Sequence, residues 1–160
     1  MLEGMQAFLK IVSGTAVTLV IGFAAFLIAG PGAMQWYTTL AKPALVPPEW
    51  IFIPLWLVLY ALMTVALGII WSTEPHTTER EGWVRFYFIQ VLFNAAWVMF
   101  FFGLHAILVA FIDMLFLAFI VGALIAGAWD IDRRAAYVLA PYFACTLFIA
   151  FLNLNIWFLN

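Results

Sequence analysis

Asn94 and Trp97, in the stretch FNAAW, are three residues apart in the middle of a long apolar run, which puts an amide and an indole on nearly the same face of a helix. Trp56, in PLWLV, is a second indole well inside such a run. An indole face stacks on flat apolar rings, and an amide offers both a donor and an acceptor. Together these side chains could hold a planar hydrophobic ligand by its face and its polar edge. Two competing uses are as plain: deep indoles fill core space, and amides in lipid, including Gln90, Asn153 and Asn155 here, tie helices together. Asp113 is the one acidic residue far inside a run, so it must face a bundle interior or a wet cavity. It serves there either as a proton or ligand contact or as a structural hydrogen bond to a neighbouring helix.

Other chemistries find no residues. His76 and His105 are far apart and neither has a carboxylate at metal-ligand spacing, so no metal site is expected. There is no Ser-His-Asp signature, no P-loop and no glycine-rich nucleotide turn. The single cysteine, Cys145, lies deep in an apolar run and has no partner for a disulfide. No required cofactor is implied.

The elements that must position these residues follow from composition. Of 160 residues 68% are hydrophobic and 9% charged, too few polar side chains to coat a soluble domain, so the chain reads as an integral membrane protein surrounded by lipid bilayer. Without a basic stripe, nucleic acid has no place as a partner. Apolar runs bounded by polar or proline-glycine edges cover about residues 6–29, 49–71, 83–102, 106–129 and 135–158. Each is long enough to cross the roughly 30 Å hydrocarbon layer as a helix, which predicts an all-α bundle of five transmembrane helices in one domain, 1–160, with a loop over 30–48. The first run is longer than a secretory signal core and is read as a helix of the mature protein. Lys10, Arg80, Arg85, Arg133 and Arg134 fall on one side of this arrangement and Lys42 on the other. The positive-inside rule then puts the N-terminus in the cytoplasm of a bacterial cell membrane, an inference that loses its warrant in an outer membrane. Six of the eight tryptophans lie near predicted helix ends, as in an interfacial belt, Trp83 among them. Ala118, Gly122 and Ala126 form a small-residue stripe suited to close helix packing, inside the bundle or between two copies.

The loop is unusual. LAKPALVPPEWIFIPLW, residues 40–56, holds four prolines and two tryptophans, with Trp36 and Tyr37 just upstream. Pro47 and Pro48 suit a helix start and Glu49 its first turn, while Pro54 is expected to kink the helix that follows. Trp50 and Trp56 project about 120° apart, so one can anchor at the interface while the other points inward. The connection reads as a stiff aromatic lid over a pocket for a flat hydrophobic ligand that stacks on indoles and reaches Asn94.

These pieces resemble, in order, the tryptophan-rich sensory proteins, the TspO or translocator protein family: WYTTLAKP and PPEWIFIPLWLVLYALM, QVLFNAAWVMFFFG, AFIDML with Asp113, GAW before Asp130, APY and FLN. The resemblance runs over about residues 36–155. It implies a five-helix bundle, commonly a homodimer, that binds porphyrins such as haem and protoporphyrin IX beneath the first loop. By position it implies pocket residues at Tyr37, Pro47, Trp56 and Asn94, to which the reading of the residues adds Trp36 and Trp97. Where relatives carry PYxxW this chain has PYFAC, which places Cys145 at the tryptophan, and Ile149 stands at a site that is small in relatives. The missing indole weakens the light-dependent porphyrin breakdown attributed to some members, for which Trp56 would be the catalytic candidate. KPALVPP lacks the aromatic that many bacterial relatives have after Lys-Pro. The animal sterol-recognition segment is absent from LNLNIWFLN. A membrane receptor or carrier for porphyrins and similar flat apolar ligands, with a sensory or regulatory role, is therefore expected, with a light-dependent porphyrin-degrading enzyme or a tetrapyrrole or lipid transporter as alternatives.

Overall fold

The computed structural model describes residues 2–30, 32–73 and 77–160, and the side chains of all but 2–4, 6–8, 10, 26 and 29 among these. His76 and the side chain of Lys10 thus lie outside the described residues. Among the described residues six α-helices follow one another: α1 Leu2–Ala29, α2 Ala33–Thr39, α3 Phe52–Ser72, α4 Thr78–Val98, α5 Ile107–Ile131 and α6 Arg133–Leu159. Four of them, counted with their flanking turns, are long and apolar enough to cross a membrane, with mean hydropathy from 1.6 to 2.7. Hydropathy predicts five such helices. α1 is 28 residues long, and its described apolar stretch is Ile11–Ala25.

The short connections make successive long helices antiparallel. Asp132 alone joins α5 to α6: its carboxylate accepts from the Arg134 amide at 2.9 Å and caps α6. Thr77 caps α4 in the same way, and Glu79 and Glu81 in the first turn complement the helix dipole. α5 packs on α4 and α6, α3 on α6, and α1 across α3 and α4. Leu67, Met63, Val91, Leu117, Val121 and Leu139 meet in the core. Large apolar side chains also cover the outside, Phe119 at 72% exposure and Val20 at 65%, as lipid requires and water forbids. Gly122 faces inward, where an added methyl would lie 3.6 Å from Phe143 of α6.

Three local features differ from expectation. Residues 30–48, read as a loop, contain α2, whose inner side is held by the buried Tyr37. Pro54 is the third residue of α3, where its missing N–H is one that a helix leaves unpaired in any case, and the irregularity sits in a 3-10 turn at Glu49–Ile51. Trp83 is buried at 5% exposure instead of lying in the belt, because α4 starts at Thr78 and carries it more than a turn inside. At the other end of α4 the helix widens into a π turn, Met99–Gly103, closed by the Leu104 amide donating to the Met99 carbonyl at 2.8 Å. His105 then takes a left-handed backbone, φ 54°, to enter α5.

Candidate ligand site under the loop helix

α3 and α4 place Trp56 and Trp97 side by side, with ring centroids 5.7 Å apart. Tyr60, one turn after Trp56 on the same face, lies 5.9 Å from it and donates its hydroxyl to Asn94 Oδ1 at 3.0 Å. Asn94 Nδ2 in turn donates to the Tyr142 hydroxyl of α6 at 3.2 Å, and that hydroxyl donates to Gln90 Oε1 at 2.8 Å. A buried relay therefore crosses α3, α4 and α6. It satisfies polar groups that would otherwise cost several kcal/mol each in hydrocarbon.

Trp97 belongs to a second network. Its indole N–H donates to Asn153 Oδ1 at 3.1 Å, and Asn153 Nδ2 donates to the Ile107 carbonyl at 2.7 Å, which locks α4, α5 and α6 together at this level. The Trp97 ring stacks on Phe101 at 5.4 Å and meets Phe102 edge-on at 5.8 Å. The π turn presents those two phenylalanines to α2. Tyr37 rests against Phe102 and Phe101, and Trp36 sets its edge on Phe101 at 5.4 Å while stacking on His105 at 4.0 Å. Lys42 Nζ sits 4.5 Å over the Tyr37 ring. Burial, reinforced by the Glu49 carboxylate, pushes the Tyr37 hydroxyl up to about 12. Asn160 ties down the far side of the loop by donating to the Ala41 carbonyl and accepting from its amide, both at 3.0 Å.

The structure thus joins Trp36, Tyr37, Trp56, Asn94 and Trp97 in one continuous set of aromatic and hydrogen-bond contacts. Pro47 is half-buried in the connection between α2 and α3. On α6, Cys145 is half-buried and Ile149 is buried, both packed in the apolar interior. Asp113 stands apart from these networks: at 6% exposure its Oδ2 is the one buried side-chain oxygen or nitrogen among the described residues without a hydrogen-bond partner. The set is closed, since Asn94 is only 1% exposed. Two cavities, of about 590 and 310 Å³, open at the other end of the bundle, by the α3–α4 and α5–α6 connections. Among the described residues no group of three or more His, Cys, Asp or Glu could hold a metal ion.

Sequence reasoning missed Tyr60, Tyr142 and Phe101. For Tyr60 the signal was there, four residues after Trp56. For Tyr142 it was weaker, as the tyrosine after Pro141. Phe101 reaches α2 through the π turn, which no spacing in FFFG announces.

A family model described as TspO/MBR family matches residues 14–158. The chain is 34% identical over 143 residues to the tryptophan-rich protein TspO of Chlorobaculum tepidum, covering 89% of this chain and 90% of the relative. It is 32% identical over 152 residues to the tryptophan-rich protein TspO of Archaeoglobus fulgidus, covering 95% and 97%. With the translocator protein of Ovis aries it shares 37% identity over 133 residues, 81% of this chain and 77% of the relative.

Proposed function

The chain belongs to the TspO/MBR family of membrane proteins, and from that premise we propose that it is a receptor or carrier for porphyrins, haem or protoporphyrin IX, and similar flat apolar molecules. The observation that carries the reading is the pairing of two indoles, Trp56 and Trp97, beside Tyr60, whose hydroxyl donates to the intramembrane amide Asn94, under a helix packed with aromatic rings. A planar ligand enters by parting the two indoles and taking the place of the Tyr60 hydroxyl at Asn94 Oδ1. Tyr37, Trp36 and Pro47 then cover its outer edge, and Cys145 and Ile149 shape the α6 wall. α1 is the fifth crossing in this account, the N-terminus is cytoplasmic in a bacterial cell membrane, and two copies associate as a homodimer.

Titration of the purified protein with protoporphyrin IX, followed by tryptophan quenching and the Soret band, tests the reading. Saturation near micromolar ligand, weakened in Trp56→Ala, is expected. Linear quenching that the substitution leaves unchanged would refute it.

A further inference from the structure

The cavity of about 310 Å³ lies between the first turns of α4 and the last turns of α5, at the end of the bundle away from α2. Two aromatic rings, Trp83 and Phe86, belong to its lining. Trp83 donates its indole N–H to the Leu124 carbonyl at 2.7 Å and, at 5% exposure, shows the cleft only a small part of its ring, while Phe86 lies beside it at 43% exposure. Glycines make the room: a methyl at Gly82 would meet nothing within 4 Å, and one at Gly127 would press on the Trp83 ring at 3.3 Å. The rim carries Glu79 and Asp130, both exposed.

Neither carboxylate has a cationic partner among the described residues, because each arginine at this end is engaged elsewhere. Arg80 Nη1 donates to the Thr73 carbonyl at 2.8 Å. Arg85 reaches Glu81 at 3.6 Å, Arg134 holds Asp132 at 2.7 Å, and Arg133 lies over the Trp129 ring at 5.6 Å. Two carboxylates without a cationic partner, Glu79, held by the Thr77 hydroxyl, and Asp130, therefore rim an aromatic cleft, where ring faces and carboxylates attract the same ion.

We propose that this cavity binds a lipophilic ammonium monocation, an amine with a small aromatic or alkyl body. The body lies mainly on Phe86, against the accessible part of Trp83, and the ammonium sits between Glu79 and Asp130. The volume matches the lower end of small-ligand pockets. A phospholipid headgroup fits worse, since its phosphate would be brought up against the two carboxylates. This site is independent of the porphyrin reading and stands or falls separately from it.

Equilibrium dialysis of the full chain in phosphatidylcholine nanodiscs, corrected with empty nanodiscs, tests the proposal with 1-naphthylmethylammonium and its neutral counterpart 1-naphthylmethanol. The cation should bind saturably and about tenfold more tightly than the alcohol, the combined effect of two partly exposed charge contacts. Glu79→Gln with Asp130→Asn should reduce the cation to the affinity of the alcohol, with circular dichroism unchanged. If the double variant does not fold, raising the salt concentration on the native chain serves instead, and should weaken the cation alone. Equal affinity for the two probes, or cation binding indifferent both to the substitutions and to salt, would overturn it.

Discussion

Removing the Tyr60 hydroxyl should tighten porphyrin binding. In the structure that hydroxyl acts as an internal ligand: it donates to Asn94 Oδ1 at 3.0 Å and occupies the space where a Gly22 methyl would otherwise stand. A ligand that uses Asn94 must first break this bond. Tyr60→Phe breaks it in advance while keeping the ring that lies 5.9 Å from Trp56. A buried hydrogen bond contributes about 0.5–1.5 kcal/mol net, and pairs between transmembrane helices average about 0.6 kcal/mol. The free protein loses that stabilisation and the complex does not, so Kd should fall roughly three- to twelvefold. The assay is the quenching titration with protoporphyrin IX on both proteins in the same nanodiscs. Unchanged affinity would mean that the ligand does not use Asn94, and weaker binding would mean that Tyr60 itself donates to the ligand; either refutes the displacement argument.

Four other outcomes are expected. Asn94→Ala should lower thermal stability by about 1–3 kcal/mol, because the Tyr60 and Tyr142 hydroxyls both lose a partner; an unchanged melting temperature would show that the relay contributes nothing. Asp113→Val should raise the melting temperature, since it removes a buried carboxyl with an unpartnered oxygen, and a fall would reveal a partner that forms only in the bilayer. Gly14→Ala should destabilise by about 1–3 kcal/mol, because a methyl there would sit 2.5 Å from the Trp71 ring and 2.8 Å from Leu67. The Tyr37 hydroxyl is held protonated up to about 12 against an ordinary 10.0, so the stability it confers is complete below pH 10 and lost as pH rises toward 12. Alkaline melting curves should show a larger loss in the native chain than in Tyr37→Phe.

Much of this arrangement is legible in sequence, and the division has a physical cause. Apolar runs with polar and proline edges announce the four long helices because lipid allows hydrogen-bonded backbone no alternative. Asn94 and Trp97 stand out for the same reason, an amide and an indole placed where neither is cheap. Their partners are not legible. That Asn94 meets Tyr60 on one side and Tyr142 on the other depends on how α3 and α6 are rotated about their axes, and spacing within α4 says nothing of that. α2 is short and flanked by glycine and proline, so its helical form rests on tertiary contacts of Tyr37 and Trp36 with a π turn. The apolar run that begins at Trp83 points to a belt position, whereas α4 already starts at Thr78, in a polar stretch that hydropathy does not mark as helix.

The location of the ligand can be observed directly through the indole N–H resonances of the eight tryptophans, assigned by single substitutions and recorded with and without protoporphyrin IX. Porphyrin between Trp56 and Trp97 should shift both of those resonances strongly and leave the exposed Trp129 and Trp157 in place. Shifts confined to the exposed indoles, with Trp56 and Trp97 unmoved at saturation, would contradict a site beneath the loop helix.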